Sequence, residues 1–419
     1  MRRVAIALLV TGVIGLAGCG GSGKSTIRIG VLGVCQGAFA PFYQTAVAGA
    51  ELPLLQRGAR LRGSKPTDGV RGATVAGHPV ELLFGCSDET GERALAEVRR
   101  LVEKEHVQIL AGAETSAAGV AIRDYAKTQP DTTFLIAFAP AADATLSRPA
   151  PNVFRFTTHS LQWPAGLGAY AYRTLGWRTA VVVGNDFSFP YDEAAGFIAE
   201  FCSVGGKVVR RVWSEAAPPP VRTRADGYFV SVFLPQHLAA TVRALPLKGA
   251  LAHRLLVGSA TISDAGRVLG RRATGVVGAQ ASPIGTSNPA WTSFLGDYAK
   301  AFPKGPSIGL APPYFSTLEP ALHGLEAVDG DLSDGGRRYR TVLAGLELDL
   351  PTGHVRLDAN RQAVGSNYLV QVGRRGAIRT FRTLNAVDAS YGGRFGPGKP
   401  LPSRTSPKCV HGNPPPWAR

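Results

Sequence analysis

The chain has 419 residues, of which 45% are hydrophobic, and this is enough for two ordinary domains with buried cores. Its formal net charge is +16, but the basic residues are dispersed and their densest stretches lack interleaved aromatic residues, which argues against a nucleic-acid-binding protein. After the N-terminal segment, no apolar stretch reaches the length that spans a membrane.

The N-terminal segment has the parts of a secretory signal. Arg2 and Arg3 form a basic start, residues 4–16 form an apolar run of 13 residues that is too short to span a bilayer, and "LAGC" follows at 16–19. This stretch resembles the lipobox of bacterial lipoproteins, in which cleavage precedes a cysteine that then carries lipid. We therefore predict a signal peptide at 1–18, lipidation of Cys19 and a flexible tether at 19–26.

The same region offers a competing interpretation, because residues 18–25 match the phosphate-binding pattern G-x-x-x-x-G-K-[ST]. Such a loop needs a helix directly after it, so that the helix N-terminus faces the phosphates. The residues after Lys24 are rich in β-branched side chains and predict a strand instead. The lipobox interpretation is therefore favoured over a nucleotide-binding loop.

From residue 26 onward, strand and helix patterns alternate along the chain. This alternation predicts βαβ units with mostly parallel sheets, and the number of strands requires two sheets. Predicted strands cover 26–34, 78–85, 107–112, 132–139, 152–158, 178–184, 207–213, 227–233 and 253–258. Predicted helices cover 41–59, 90–106, 116–128, 161–176, 191–205 and 235–245, and short strands separated by turns follow within 350–376.

Four further cysteines form an even set, as expected in an oxidising compartment. Cys35 and Cys86 end neighbouring predicted strands, and parallel pairing would bring these two ends side by side. Cys202 lies near the end of a predicted helix, and Cys409 lies in a Pro-rich tail that has no other evident reason to be ordered. We predict the bridges Cys35–Cys86 and Cys202–Cys409, with four buried free thiols as the alternative.

Motifs that carry catalysis or hold metal ions are sparse. The chain contains no H-E-x-x-H, C-x-x-C or G-x-S-x-G pattern, and its eight histidines lack metal-ligand spacing. The stretch "GLGAYA" at 166–171 lies inside a predicted helix rather than after a strand, so it indicates helix packing. We therefore predict a protein that is not an enzyme and that uses no cofactor or metal.

The stretches 27–56, 94–126, 176–201, 314–334 and 351–372 share their order and spacing with one family. Together they resemble the solute-binding lipoproteins of ABC transporters, of the branched-chain amino-acid type within the type I periplasmic binding proteins. The resemblance covers nearly all of residues 27–385. It implies an α/β fold with two doubly wound, parallel-sheet lobes joined by a three-strand hinge, and a ligand that binds between the closing lobes.

The resemblance also implies the division of the chain. The three crossings between the lobes would fall near 157–160, 279–283 and 358–367. The first lobe would then comprise 27–158 plus 282–358, and the second lobe 159–281 plus 359–390. Residues 391–419 remain as the Pro-rich C-terminal tail.

Ligands of open α/β sheets bind beyond the carboxyl ends of the strands. The segments 113–116, 139–143, 185–191, 232–235 and 258–261 each follow a predicted strand, and they coincide with the cleft that the resemblance implies. On this basis we expect the ligand-binding residues to be Phe39, Thr115, Ser116, Ala139, Ala141, Asp143, Phe189, Tyr191, Phe233, Ala260 and Tyr314.

Individual roles follow from the resemblance. Ser116 matches a serine that holds a ligand carboxylate, and Tyr191 and Phe233 match aromatic wall positions. Two positions depart from the amino-acid binders, since Asp143 replaces a threonine and Ala260 replaces the acid that pairs with the ligand ammonium. Burying an unpaired ammonium is costly, so we expect leucine, isoleucine and valine to bind weakly or not at all.

The expected function is therefore that of an extracytoplasmic, lipid-anchored receptor that captures a small molecule and delivers it to an ABC permease. Its partners would be the small-molecule ligand, the permease and the cell membrane, with no nucleic acid. A ligand-sensing receptor of the same fold, which regulates a partner protein, is the alternative. A hydrolase is disfavoured because the chain lacks a nucleophile–base motif.

Overall fold

The computed structural model describes residues 24–147 and 149–419. The predicted signal peptide and the predicted lipidation site Cys19 lie outside the described residues, as does most of the predicted tether. None of the helices that the structure describes has the length and apolar character needed to cross a membrane.

Strands and helices alternate along the described chain. The strands are β1 Ile27–Val34, β2 Arg60–Leu61, β3 Val70–Arg71, β4 Thr74–Val75, β5 His78–Ser87, β6 Ile109–Gly112, β7 Thr133–Ile136, β8 Val153–Phe154, β9 Thr179–Asn185, β10 Lys207–Ser214, β11 Gly227–Ser231, β12 Leu255–Val257, β13 Val277–Gln280, β14 Glu347–Leu350, β15 Gly353–Leu357, β16 Ala363–Val372 and β17 Ile378–Val387. The α-helices are α1 Tyr43–Gln56, α2 Gly91–Arg99, α3 Ser116–Ala126, α4 Asp143–Leu146, α5 Leu167–Arg173, α6 Ser188–Ser203, α7 Pro235–Ala244, α8 Ser259–Ile262, α9 Ala265–Leu269, α10 Pro289–Ala301, α11 Ala311–Ala327 and α12 Arg337–Gly345.

The first lobe is built on a six-stranded sheet with the order β4-β5-β1-β6-β7-β8. Every pair in it is parallel except β4 with β5. Its strands are apolar almost throughout, because helices cover both faces and leave neither face to water. One apolar core packs beneath α1 and α11, and another packs beneath α2 and α3.

The second lobe is built on the strands β10-β9-β11-β12-β13, which are all parallel to one another. The strand β16 then pairs antiparallel with β13, and β17 pairs antiparallel with β16. In both lobes the first strand lies between the second and the third parallel strand, so the chain winds in opposite directions on its two sides. The prediction of two doubly wound α/β sheets is therefore confirmed.

The strand β16 belongs to both lobes. Its first residues pair with β15, whose apolar side chains Val355 and Leu357 lie in the core of the first lobe. Its later residues pair with β13 of the second lobe. Between these two halves the register of β16 with β17 shifts, between Gly365 and Asn367. β14 and β15 are hydrogen-bonded into the sheet of the second lobe, but their apolar side chains pack in the core of the first lobe. The predicted division of the chain at residue 358 therefore stays a prediction.

Buried amides tie the crossings together. Arg155 of the first crossing forms a bridge with Gln362 of the third. The Gln362 side chain donates to the carbonyl of Thr157 at 3.0 Å, and Thr145 donates to Gln362 at 2.6 Å. Gln162 donates to the carbonyls of Ala363 and Val387. Each amide therefore bridges segments that are far apart in sequence.

Both predicted disulfides are present, Cys35–Cys86 between the ends of β1 and β5, and Cys202–Cys409 between α6 and the tail. The expectation that only this second bridge would order the tail is wrong. Trp417 donates its indole N–H to the buried Glu200 at 3.1 Å, and a hydroxyl of the buried Tyr391 donates to the carbonyl of Leu161 at 2.7 Å. The tail is therefore packed onto the second lobe at several points.

One predicted helix is shorter than expected. The pattern at 161–176 predicts a helix, but α5 begins only at Leu167, after Gly166 in a left-handed conformation with φ of 90°. A side chain at that glycine would also collide with Leu384 and Leu369. Residues 161–166 instead form turns that lead from the first crossing into the second lobe.

The Cys202–Cys409 bridge closes a segment of 207 residues, so its removal should destabilise the protein. We expect the double variant Cys202→Ser/Cys409→Ser to lose about 2–4 kcal/mol of unfolding free energy, because the unfolded chain gains freedom. Urea denaturation without reductant measures this loss. As a control, reductant should destabilise the wild type more than the double variant. Equal stability of the two proteins without reductant would contradict the prediction.

Glu51 gives a second prediction, because it lies buried in α1 and neither of its carboxylate oxygens has a hydrogen-bond partner among the described residues. Burial, with a smaller contribution from the nearby Asp68, raises the pKa of Glu51 to about 9. The wild type should therefore lose stability as the pH rises from about 4.5 towards 9, since the unfolded state ionises freely in this range whereas the folded state keeps the carboxyl protonated.

The variant Glu51→Gln removes this titration. Its advantage in unfolding free energy should grow by at most about 1.4 kcal/mol per pH unit across that interval, as read from urea denaturation at several pH values. Glu81→Gln, at an exposed position, is the matched control and should show no such trend. A difference between Glu51→Gln and wild type that does not change with pH would rule out the titration.

Candidate functional site

The strand order determines where a site can form. The loops after β1 and β6 lie on the two sides of the winding reversal in the first lobe, and the loops after β9 and β11 do so in the second. Open α/β sheets bind ligands at this reversal point, beyond the carboxyl ends of the strands. The four loops carry Phe39, Ser116, Phe189 and Phe233, so the structure brings these predicted residues to the expected edges.

Aromatic rings connect the two lobes across the cleft. Phe39 of the first lobe stacks on Phe233 of the second, with ring centroids 5.3 Å apart. Phe138, which follows β7, stacks on Trp163, which follows the first crossing, at 5.7 Å. Further rings join these two pairs at centroid distances of 5.9 to 6.4 Å. We call this set the aromatic cluster; it comprises Phe39, Phe138, Trp163, Phe187, Phe189 and Phe233.

A buried asparagine holds the second-lobe part of the cluster in place. Asn185 ends β9, and its side-chain oxygen accepts from the backbone N–H of Phe233 at 2.9 Å. Its amide nitrogen donates to the carbonyls of Ser214 and Glu215 after β10. The loops after β9, β10 and β11 are therefore fixed to one another, and Phe187 and Phe233 are held at a centroid distance of 6.4 Å.

The first-lobe side of the cleft offers a site for an anion. Ser116 is the first residue of α3, is half-buried, and its hydroxyl has no hydrogen-bond partner within the part of the chain described. Thr115 precedes it and caps the helix, because its hydroxyl accepts from the N–H of Ala118 at 3.2 Å. Burial raises the pKa of the neighbouring Glu114 to about 8, so this carboxyl is mostly uncharged at neutral pH. An anion at Ser116 would meet the positive end of the helix dipole without repulsion from Glu114.

Buried polar groups lie behind the cleft, at the first crossing. Asp192 of α6 accepts from the N–H of Ala142 at 2.9 Å and from the hydroxyl of Ser160 at 2.8 Å, and burial raises its pKa to about 7. Burial lowers the pKa of Arg155 to about 9, and its guanidinium donates to the carbonyl of Ala141 at 3.0 Å. Burial and the nearby Arg155 together lower the pKa of His159, which is therefore neutral at pH 7. These contacts join the loop after β7, the crossing and α6.

Tyr191 contacts the C-terminal tail, and its predicted contact with a ligand stays a prediction. Its hydroxyl donates to Asp186 and lies 3.1 Å from the Arg404 side chain of the C-terminal tail, and its ring packs edge-on against Trp213. Tyr191 therefore contacts the tail and Trp213 and is not one of the six residues of the aromatic cluster.

Three further predicted residues are buried, and their polar groups form hydrogen bonds within the protein. Tyr314 is fully buried in α11, and its hydroxyl donates to the carbonyl of Leu32 at 2.5 Å. Ala139 is also fully buried, with its N–H bonded to the carbonyl of Ala113. The Ala141 carbonyl already accepts from Arg155. These polar groups are thus already used within the protein, and contact of the three residues with a ligand stays a prediction.

The side chain of Asp143 is engaged within the first lobe, and its contact with a ligand stays a prediction. Its carboxylate pairs with the buried guanidinium of Arg123 at 3.0 Å and accepts from Ser147. Thr115 is likewise committed to capping α3. Neither side chain is available as the main partner of a ligand ammonium.

Ala260 lies partly exposed in α8, beside a buried acid that the sequence did not indicate. This acid, Glu193 of α6, accepts from the hydroxyl of Ser231 at 2.5 Å and from both the N–H and the hydroxyl of Ser259, at 2.8 and 2.6 Å. Its hydrogen-bonding capacity is thus taken up within the second lobe. Glu193 therefore offers no free carboxylate in place of the acid that the amino-acid binders carry at the position of Ala260.

Comparison with known proteins decides the family. A model described as "Periplasmic binding protein" matches residues 26–377. The chain belongs to this periplasmic binding protein family. Among curated proteins, no sequence matches the chain.

Solved structures with the same fold agree with this assignment. An ABC transporter substrate-binding protein from Sphaerobacter thermophilus is 23% identical, with a TM-score of 0.72, over 87% of this chain and 99% of that chain. A solute-binding protein of an ABC transporter from Rhodopseudomonas palustris, in complex with 3,4-dihydroxybenzoic acid, is 18% identical, with a TM-score of 0.70, over 87% and 98%. A leucine-binding protein from Thermotoga maritima is 18% identical, with a TM-score of 0.67, over 86% and 99%. At these identities the likeness confirms the type I periplasmic binding protein fold.

Sequence reasoning missed Phe138, Trp163 and Phe187 of the aromatic cluster of this periplasmic binding protein. Phe187 lies within the predicted ligand-binding segment after β9, and Phe138 directly precedes the one after β7. The rule that ligands bind beyond the carboxyl ends of the strands could therefore have indicated both residues. Trp163 lies in the stretch that predicts a helix, which hid it. Its indole N–H is buried without a hydrogen-bond partner in the described chain.

Proposed function

We propose that this chain is a lipid-anchored, extracytoplasmic solute-binding protein that captures a small aromatic acid between its two lobes and delivers it to an ABC permease. The observation that carries the proposal is the pair of stacks across the cleft, Phe39 on Phe233 and Phe138 on Trp163. Rings at such distances form favourable offset or edge contacts, and a ligand ring inserted among them would meet the same surfaces.

The first lobe supplies groups that would bind the carboxylate of the ligand. A carboxylate at Ser116 would accept from the serine hydroxyl and from free N–H groups in the first turn of α3. Glu114 is mostly uncharged at neutral pH, so it does not oppose this carboxylate. The buried indole N–H of Trp163 provides a further donor beside the stacked rings.

An α-amino acid suits this cleft poorly. Its ammonium needs an acid, and Ala260 provides none, while Asp143 and Glu193 are committed to Arg123 and to two serines. A buried ammonium without a partner would cost several kcal/mol, which removes most of the useful affinity. The similar structure that holds 3,4-dihydroxybenzoic acid is therefore a better guide to the ligand than the leucine-binding one.

Closure of the lobes links binding to delivery. A ligand that contacts rings from both lobes binds the closed arrangement more tightly, and so shifts the population towards it. The three crossings are the segments about which the lobes would move. A permease could then distinguish the loaded from the unloaded protein by the relative position of the lobes.

The lipid anchor rests on the sequence "LAGC" after the apolar run. The tether from residue 19 to residue 26 has eight residues and could extend for at most about 29 Å. This reach would keep the receptor close to a permease in the same membrane.

The ligand class can be tested by calorimetric titration. We expect benzoate and hydroxybenzoates to bind with measurable affinity, and leucine, isoleucine and valine to bind far more weakly. Phe233→Ala should weaken binding of the aromatic acid by about tenfold or more, since it removes a stacking surface. Tyr191→Phe is the matched control and should leave the affinity nearly unchanged, because the tail holds this side chain.

A second variant separates the acid contact from the ring contacts. Ser116→Ala should weaken benzoate by several-fold, corresponding to about 1 kcal/mol, and should affect an uncharged aromatic analogue less. Micromolar leucine binding, or equal effects of Tyr191→Phe and Phe233→Ala, would contradict the proposed ligand class.

The anchor gives a separate prediction. In a bacterial host, mass spectrometry of membrane-extracted protein should show a mature chain that begins at Cys19 with a diacylglyceryl group. Cys19→Ser should accumulate as the unprocessed precursor. An unmodified chain that still begins at Met1 would contradict the anchor and reopen the phosphate-loop interpretation.

A further inference from the structure

A second cavity lies away from the cleft, between β10 and the C-terminal tail. It is largely open to solvent, has a volume of about 510 Å³ and is lined by Arg211 and Trp213 from the strand and by Arg404 and Lys408 from the tail, among others. None of the residues of the aromatic cluster lines it. Its volume falls within the range of small-molecule sites, about 300–1,000 Å³.

The charges around this cavity are unbalanced. Arg211 is half-buried and donates to the carbonyls of Arg404 and Pro407, and it forms no ion pair within residues 24–147 and 149–419. Burial lowers its pKa, and no acid opposes that change. Arg404 is neutralised by Asp186, whereas Lys408 has neither a hydrogen bond nor an ion pair in the described chain. Two cations therefore face the cavity without a carboxylate.

The walls of the cavity are fixed rather than loose. The Cys202–Cys409 bridge attaches the tail beside Lys408, and the indole N–H of Trp213 donates to the carbonyl of Arg404 at 3.1 Å. Because these contacts hold the tail against the edge strand, the backbone that carries Lys408 and the guanidinium of Arg211 are positioned in advance, and a ligand would have to order only the exposed Lys408 side chain.

We propose that this cavity binds a small oxyanion, a molecule that carries a carboxylate or phosphate group. Such a group would accept charge-assisted hydrogen bonds from the guanidinium of Arg211, because the planar guanidinium matches the geometry of carboxylates and phosphates. It would neutralise the charge of Lys408. It would also offset the cost of holding a half-buried guanidinium without an acid. The proposal concerns a site separate from the cleft and does not depend on the identity of the cleft ligand.

The test is calorimetric titration of the mature protein with inorganic phosphate and with citrate at low ionic strength. The expected result is saturable binding of one anion per chain. Arg211→Gln should weaken that binding by about tenfold or more, because it removes a charge-assisted contact. Arg210→Gln, the next residue on the same strand, is the matched control; its side chain donates to Thr223 outside the cavity and the change should leave binding within about twofold.

Two further variants make the result decisive. Lys408→Gln alters an exposed side chain without partners, so it should fold normally and still weaken binding several-fold, even if Arg211→Gln does not fold. Phe233→Ala should leave the anion affinity unchanged, because it alters only the cleft. No saturable binding up to about 10 mM of either anion, equal losses in Arg210→Gln and Arg211→Gln, or loss of binding in Phe233→Ala would each overturn the proposal.

Discussion

Three buried carboxyl groups on helix α6 connect the parts of the second lobe, and the remainder of the site depends on these hydrogen bonds. Asp192 accepts from the loop after β7 and from the first crossing, and Glu193 accepts from β11 and α8. Glu200 accepts from the N–H groups of Gly166 and Ala169 at the start of α5, and from Trp417 of the tail. These donors offset the cost of burying the three carboxyl groups, and together they fix the position of α6 against the elements that carry them.

The position of α6 in turn determines the cleft. Phe187 and Phe189 stand immediately before and within its first turn, so they are carried to the edge of the sheet where β9 ends. Asn185 then fixes Phe233 beside them through one hydrogen bond. The rings of the first lobe meet this assembly at two places, which explains how lobes with separate sheets share one apolar surface. The polar contacts of α6 are thus the support for an aromatic surface that carries the proposed recognition.

Much of this fold could be predicted from the sequence, because alternation of strands and helices is a local property. The pairing of Cys35 with Cys86 followed from two adjacent strand ends, and the edge of the sheet that carries Ser116 and Phe233 followed from the carboxyl-end rule. The direction of a side chain was less predictable where its partner is distant in sequence. Tyr191 turns towards Arg404, 213 positions away, and Tyr314 towards Leu32, 282 positions away. No periodic pattern encodes such contacts, and a family match transfers a position without transferring its partner.

The shared strand β16 has a mechanical consequence for the proposed closure of the two lobes. Its first residues are held by the core of the first lobe and its later residues by β13, so any relative rotation must be absorbed between them. That is where the register with β17 shifts, and the strand can bend there without breaking the ladders on either side. In the proposed closure, the register shift between Gly365 and Asn367 would therefore place the axis of rotation within a continuous strand rather than in a loose linker.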